Sequence, residues 1–419
     1  MQIGQDFQLT YCTNIHPGDD WAQVQSSLAE YGPRLKQRIS PDAPFGMGLR
    51  LSHVASVELL AGDRLQALRE QLDRDGLYVF TMNGFPYGSF HRTAVKDLVH
   101  APDWQTPERA DYTIRLARIL AALLPGDIQE GSISTSPLSY KPWVSQTDDW
   151  QTVSRASVAQ LVRVTQALMQ IESETGKLVH VDLEPEPDGL LETADEVCVF
   201  FEDHLLTYGA ELLCESAQIS IVDAQQTLLR HVGVCLDTCH LAIEYESPRE
   251  FVEKMQRVGI RIGKVQISSA LQVPIAKAGS ADGVALHDIP RELAPYVEST
   301  YLHQVIQRNR DGVLVRYHDL PEALELLAVA GDAPEEWRVH FHVPVFAASC
   351  GAFATTQQTI LDTFALLAEN PFTRHLEIET YTWEVLPAEL KKDITESIVR
   401  EFAWTLSAFP QGLSQGGTS

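Results

Sequence analysis

His231-Val232-Gly233-Val234-Cys235-Leu236-Asp237-Thr238-Cys239-His240 is an apolar run of small and β-branched residues that stops abruptly at an acid. A short continuous run of this kind is the pattern of a parallel strand buried on both faces. Such strands alternate with helices, and their C-terminal ends face the crevice where α/β proteins keep their ligands. Asp237 is therefore expected at a strand end, with His240 in the following loop and near enough to share a ligand. A strand-end Asp also caps helices, and a loop His is often only a hydrogen-bonded loop residue, so the decapeptide alone leaves both readings open.

Two further runs end the same way. Residues 179–185 read Val-His-Val-Asp-Leu-Glu-Pro, with Glu184 at the end, and residues 376–381 read Leu-Glu-Ile-Glu-Thr-Tyr, with Glu377 and Glu379. Three strands closing on acids argue against plain solvated surface, because an unpaired carboxylate is costly to bury. Working outward, the sequence predicts strands over 9–14, 46–52, 77–83, 132–137 and 264–269. Helical spacings such as Trp21, Val24, Leu28 and Tyr31 lie between them. Alternating strands and helices over this length predict an α/β fold of the (β/α)8 TIM-barrel type. The doubly wound open sheet is disfavoured, because no G-x-G-x-x-G follows the first strand and no P-loop is present.

Residues 271–336 break the rhythm and form a long insertion after strand seven. Asp311-Gly312 marks a hairpin within it. The insertion is expected to be a lid or side wall over the barrel mouth, bringing His342 toward Asp237. An oligomer contact, or a decoration on the far side, is the alternative. Residues 340–345 read as one more extended piece. One barrel domain is expected over 1–410, with a flexible tail over 411–419.

Lys and Arg number 32 against 57 Asp and Glu, a formal net charge of −25. So acidic a surface repels phosphate backbones, which argues against nucleic acid as a partner and against charge-driven docking on anionic membranes. The six cysteines include no C-x-x-C pair. No run of 18 apolar residues predicts a membrane span, and the N-terminal residues lack the pattern of a signal peptide, so a reducing, cytoplasmic compartment is expected.

In a barrel the strand ends converge on one face. Glu184, Asp237, Gln266 and Glu379 close strands five to eight, and His240 and His342 add imidazoles. Carboxylates with an amide or imidazole suit a divalent metal, Mn²⁺ or Mg²⁺, with Zn²⁺ also admissible. Glu184 and Glu379 are the expected catalytic acids. Glu379 is preferred to Glu377 as nearer the strand end, and Glu186 and Asp188 read as rim residues. A web of hydrogen-bonded barrel acids without an ion remains the alternative, as do a structural role for His342 and a non-ligand role for Gln266. For substrate binding, Tyr11, Asn14 and His16 end strand one and Arg50 ends strand two. Asn83, Tyr87 and His91 lie in the aromatic loop 83–91, and Trp383 follows the last strand. Together they predict a pocket for a small-molecule metabolite, neutral or singly anionic. Arg50 would pair with a carboxylate or enolate of that ligand, or else neutralise a barrel acid.

Glu184, the Asp237-x-x-His240 motif and Glu379 resemble the xylose-isomerase-like TIM barrels, which include sugar isomerases, ketose epimerases and endonuclease-IV-type nucleases. Several segments carry a closer resemblance, to the EboE-type "metabolite traffic" family of the ebo gene cluster. They are Thr10-Tyr11-Cys12-Thr13-Asn14-Ile15-His16-Pro17-Gly18, residues 83–91, Asp182-Leu183-Glu184-Pro185-Glu186-Pro187, Leu236-Asp237-Thr238-Cys239-His240, His340-Phe341-His342-Val343-Pro344 and residues 377–383. The resemblance implies handling or export of a secondary-metabolite precursor, with other ebo-cluster proteins as partners. The superfamily implies a metal-dependent isomerase, epimerase or lyase. A non-catalytic metabolite-binding or carrier protein using the same pocket is the competing class. The chain departs from the epimerase pattern at Gln266, where a His is usual, and at Arg50, where a Glu is common. Strand four ends in Ser and Thr, which leaves a trinuclear zinc nuclease poorly supported.

Overall fold

The computed structural model describes residues 1–4, 6–89, 95–147, 150–277, 283–327, 334–381, 383 and 393–410. In chain order the strands are β1 (Gln2–Ile3), β2 (Phe7–Tyr11), β3 (Phe45–Arg50), β4 (Leu77–Asn83), β5 (Glu130–Thr135), β6 (Leu178–Leu183), β7 (Val232–Asp237), β8 (Ile262–Ile267), β9 (Ser269–Pro274), β10 (Val305–Asn309), β11 (Leu314–Tyr317), β12 (Pro334–Val343), β13 (Ser349–Cys350), β14 (Phe353–Thr355) and β15 (His375–Ile378).

One sheet runs β1-β2-β15-β8-β7-β6-β5-β4-β3, and every pairing in it is parallel except the short antiparallel β1. Its two ends meet, because Cys12, just past β2, bridges Gly48 of β3 in the parallel sense. Strands β2 to β8 and β15 thus close into the (β/α)8 barrel. Helices Trp21–Ile39, Pro107–Leu123, Trp150–Thr175, Pro248–Val258, Gln357–Glu369 and Ile394–Ala408 are among those that cover it. The first predicted strand ends early, at Tyr11. Thr13–Ile15 turns as a 3₁₀ helix and carries Asn14.

The runs that read as continuously apolar alternate finely once placed. His180, Asp182 and Glu184 share one face of β6 and its extension, and Lys264 and Gln266 share one face of β8. His375, Glu377 and Glu379 do the same on β15. All of these side chains are buried. The intervening Val181, Leu183, Val265, Ile267, Leu376 and Ile378 join the main apolar core. Buried polar side chains are stable only when paired. Lys264 and Glu377, both fully buried, form an ion pair, and His180 Nδ1 lies 2.9 Å from Asp182. Gly48 makes room for this, since a Cβ there would sit 1.6 Å from Glu377 Oε1.

The segment between β8 and helix Gln357–Glu369 is a second sheet, antiparallel throughout, in the order β11-β10-β12-β9-β14-β13. It has its own core, including Leu271, Val273, Val305, Trp337, Val339 and Phe341. The β10–β11 hairpin turns at Gly312, whose φ of 87° suits glycine. The sheet extends past the 271–336 span read from sequence. Residues 340–343 are not a separate piece but the end of β12, which pairs on both sides. Among the described residues, no helix is long and apolar enough to cross a membrane.

Candidate metal centre

Asp237 ends β7 and caps helix Thr238–Ile243. Its Oδ1 accepts from the backbone N–H of Cys239 (2.7 Å) and of His240 (3.0 Å), and from Ser268 Oγ (2.6 Å). Capping consumes only one oxygen, and Oδ2 is buried without a hydrogen-bond partner among the described residues. The two readings of this acid are therefore compatible. The capped turn sets His240 with Nδ1 3.6 Å from Glu184 Oε1 and 4.0 Å from Asp237 Oδ1.

Glu184 follows β6, with its N–H donating to the Thr135 carbonyl at 2.9 Å. Its Oε1 accepts from Gln266 Nε2 at 3.1 Å, while Oε2 is buried without a hydrogen-bond partner. Glu379 follows β15 and donates its N–H to the Ile267 carbonyl at 3.0 Å. Three side-chain amides hold its carboxylate. Asn14 Nδ2 (2.7 Å) and Asn83 Nδ2 (2.9 Å) donate to Oε1, and Gln266 Nε2 donates to Oε2. Gln266 is a donor bracket here, because its carbonyl is turned toward the Cys235 thiol at 3.2 Å.

One oxygen each from Glu184, Asp237 and Glu379 lie within 4.8 Å of one another, all buried. Burial, reinforced by the Glu379, Asp237 and Glu186 carboxylates, holds Glu184 well above the usual carboxylate range. Burial likewise pushes Glu379 up to about 7, with Asp237 and Glu377 adding to it and His342 and Lys264 opposing. Burial would raise Asp237 too, but His240, His342 and its hydrogen bonds outweigh it and hold the acid low. Three crowded carboxylates, two of them with an oxygen lacking a partner, form the hard donor set that a divalent cation satisfies.

The insertion sheet brings imidazoles to the same place. His340 and His342 share one face of β12. One ligand atom each of Asp237, His240 and His342 lie within 4.8 Å of one another, and His342 Nδ1 is 2.9 Å from the Glu379 carbonyl. A pocket of about 610 Å³, counted with its open mouth, lies over the group. Asn14, Asn83, Glu184 and Glu379 line it, with Phe85, Tyr301 and Tyr381 as aromatic walls and Lys96 among its residues. Lys96 is ion-paired with Asp319 at 2.5 Å.

Of the residues read as substrate-binding, Asn14 and Asn83 line this pocket. The Tyr11 hydroxyl is 2.9 Å from His16 Nε2, and the His16 ring stacks 4.0 Å from Tyr31, away from the pocket lining. Arg50 donates to the carbonyls of Gly18 (3.0 Å) and Gly88 and lies 3.9 Å from Asp19. It ties two loops together and meets a loop acid rather than a barrel acid. Tyr87 stacks on His53 at 4.7 Å. The Trp383 indole N–H donates to the Thr380 carbonyl at 3.1 Å. His91 lies outside the described residues. Glu186, read from sequence as a rim residue, lines the pocket, and His100, Tyr301, Gln304, His340 and Tyr381 line it without having been singled out for it from sequence. Of these only His340, spaced two from His342, carried a visible signal.

No family model matches the chain, and no curated protein matches it. Solved structures similar to it include the IolI protein with a bound zinc atom, 10% identical over 96% of this chain and 98% of that one, with a TM-score of 0.42. Another is the probable 3-DHS dehydratase AsbF involved in petrobactin synthesis from Bacillus anthracis, 12% identical over 96% and 98%, with a TM-score of 0.40. A D-tagatose 3-epimerase-like protein is 15% identical over 62% and 75%, with a TM-score of 0.35. Likeness at this level carries no argument about the site, which stands on its own geometry.

Proposed function

We propose that the chain is a divalent-metal-dependent isomerase, epimerase or lyase of the xylose-isomerase-like kind. Its substrate is a small polyhydroxylated or carbonyl-bearing metabolite, neutral or singly anionic. Following the EboE-type resemblance, it serves the handling or export of a secondary-metabolite precursor, beside other ebo-cluster proteins. The observation that carries the enzymatic reading is the convergence of Glu184, Asp237 and Glu379, from the ends of three barrel strands, to within 4.8 Å, with Glu184 and Glu379 lining the pocket. These three residues would hold the ion, with His240 and His342 beside Asp237. When bound, a divalent ion there supplies polarisation of a carbonyl. Glu184 and Glu379 would be the pair that takes a proton from a carbon next to such a carbonyl and returns it. Asn14, Asn83 and Gln266 keep Glu379 in one orientation.

The same amide cage favours a second reading, a metabolite-binding or carrier protein, because an acid accepting from three amides has little capacity left for a substrate proton. One experiment separates the two. Protein purified without chelator is analysed for metal, supplemented with Mn²⁺, Mg²⁺ or Zn²⁺, and incubated in D₂O with aldoses, ketoses and small ketones. Deuterium entering the carbon next to the carbonyl supports the enzyme, and metal retention without exchange supports the carrier. Protein that neither retains nor takes up metal refutes the shared site.

A further inference from the structure

We infer that the insertion sheet completes a second cation seat, made by Glu186, His240 and His340, next to the carboxylate group proposed above. Its location rests on that reading, but two of its three ligands do not belong to the first seat.

One ligand atom from each of the three residues lies within 4.8 Å of the others, and all three are buried. The tautomer of His340 follows from its neighbours. Gln304 Nε2 donates to the Pro187 carbonyl at 3.1 Å, so Gln304 Oε1 faces His340 Nδ1, 2.7 Å away. Nδ1 of His340 therefore carries the proton and Nε2 presents a lone pair. A metal-bound imidazole has this arrangement, its outer N–H given to a carbonyl. The Nε2 lone pair points into a group of nitrogens, with His240 Nε2 3.1 Å away and His342 Nε2 3.3 Å away. His342 Nδ1 faces the Glu379 carbonyl at 2.9 Å. The His240–His340 separation of 3.1 Å is close to the edge of a tetrahedron around an ion with bonds of roughly 2.0–2.1 Å, which is about 3.3 Å.

Glu186 closes the seat from the β6 side. Its Oε2 is 4.0 Å from His240 Nε2. Its Oε1 has no hydrogen-bond partner among the described residues, and His100 Nε2, 3.3 Å away, sits outside hydrogen-bond geometry. A buried carboxylate without a charge partner is costly, and a cation at this point removes the cost. Two nitrogens and one oxygen prefer a borderline ion such as Zn²⁺ or Co²⁺, whereas three oxygens prefer Mn²⁺ or Mg²⁺. The two neighbouring seats are thus predicted to be selective for different ions.

The test uses the full chain stripped by chelator and titrated with Co²⁺, whose visible absorption reports nitrogen ligation, and separately with Mn²⁺, followed by calorimetry. Wild type is expected to take one equivalent of Co²⁺ with tetrahedral absorption and one of Mn²⁺. His340→Gln and Glu186→Gln should each weaken Co²⁺ at least tenfold and leave Mn²⁺ within twofold. Asp237→Asn should do the reverse. Thermal melts of the metal-free variants verify that each is folded, and the two ligand variants check each other. Mn²⁺ binding lost in Asp237→Asn, with no coloured Co²⁺ site in wild type, overturns the second seat and leaves the first. Coloured Co²⁺ abolished by His340→Gln, with no Mn²⁺ bound by wild type, upholds the second seat and overturns the first. Co²⁺ binding unaffected by both His340→Gln and Glu186→Gln overturns the inference.

Discussion

Asp237→Asn separates the two duties of one carboxylate. Asn keeps the Oδ1 acceptor that receives the Cys239 and His240 N–H groups and the Ser268 hydroxyl, and Asn is as good a helix cap as Asp, so the fold should lose no more than about 0.5 kcal/mol. What disappears is the charge, and the partnerless Oδ2 becomes an NH₂ group. At a hundredfold excess of metal over Kd the wild type should gain about 2.7 kcal/mol of stability. If loss of this ligand weakens binding about a hundredfold, the same concentration stabilises the variant by only about 0.4 kcal/mol. The charge also acts on Glu379. At the outer limit of 4.8 Å, a unit charge at an effective dielectric of about 20 contributes roughly 3.5 kcal/mol of repulsion, and more if closer. Glu379, pushed up to about 7 in the wild type, should therefore fall toward the ordinary carboxylate range. Urea denaturation at pH 8, with and without Mn²⁺, reads the first effect. Proton uptake of the metal-free protein between pH 8 and 5 reads the second. A variant that responds to metal as the wild type does would show that Asp237 is a cap and not a ligand.

Lys264→Met strands Glu377 as a buried unpaired carboxylate and should cost about 3–5 kcal/mol in urea denaturation, while Lys264→Met with Glu377→Leu should recover most of it. A double variant as unstable as the single one would contradict the pairing. Gly48→Ala puts a methyl 1.6 Å from Glu377 Oε1 and 2.7 Å from the Tyr11 carbonyl, and is expected to destabilise by a comparable amount. A change under about 0.5 kcal/mol would mean that the pair has room to move. The third expectation concerns pH. Burial acts against protonation of His180, but Asp182 and Glu130 outweigh it and lift the imidazole from 6.5 to about 9. A folded value above the unfolded one stabilises fully below pH 6.5 and is lost as pH rises through about 9. The contribution is up to about 3 kcal/mol. Denaturation midpoints should decline over that window, and Asp182→Asn should flatten the decline.

The barrel and the carboxylate floor were legible in the sequence because both are local patterns. A short apolar run ending in an acid marks a strand and its C-terminal end together, so Glu184, Asp237 and Glu379 could be placed from spacing alone, and closure of the barrel then brought them together. Which way a single residue faces is decided by packing. Arg50 and Asn83 both end barrel strands, yet Arg50 turns to the Gly18 and Gly88 carbonyls and Asn83 to Glu379. The contribution of the insertion was least visible. His340 reaches His240 because β12 pairs antiparallel with β9 and β10 in one particular register, and its proton sits on Nδ1 because Gln304, from another segment of the insertion, presents a carbonyl there. Hydrophobic periodicity carries no record of how one sheet docks on another, so the strand faces were set by the sequence, while the nitrogen side of the site was decided only by the tertiary structure.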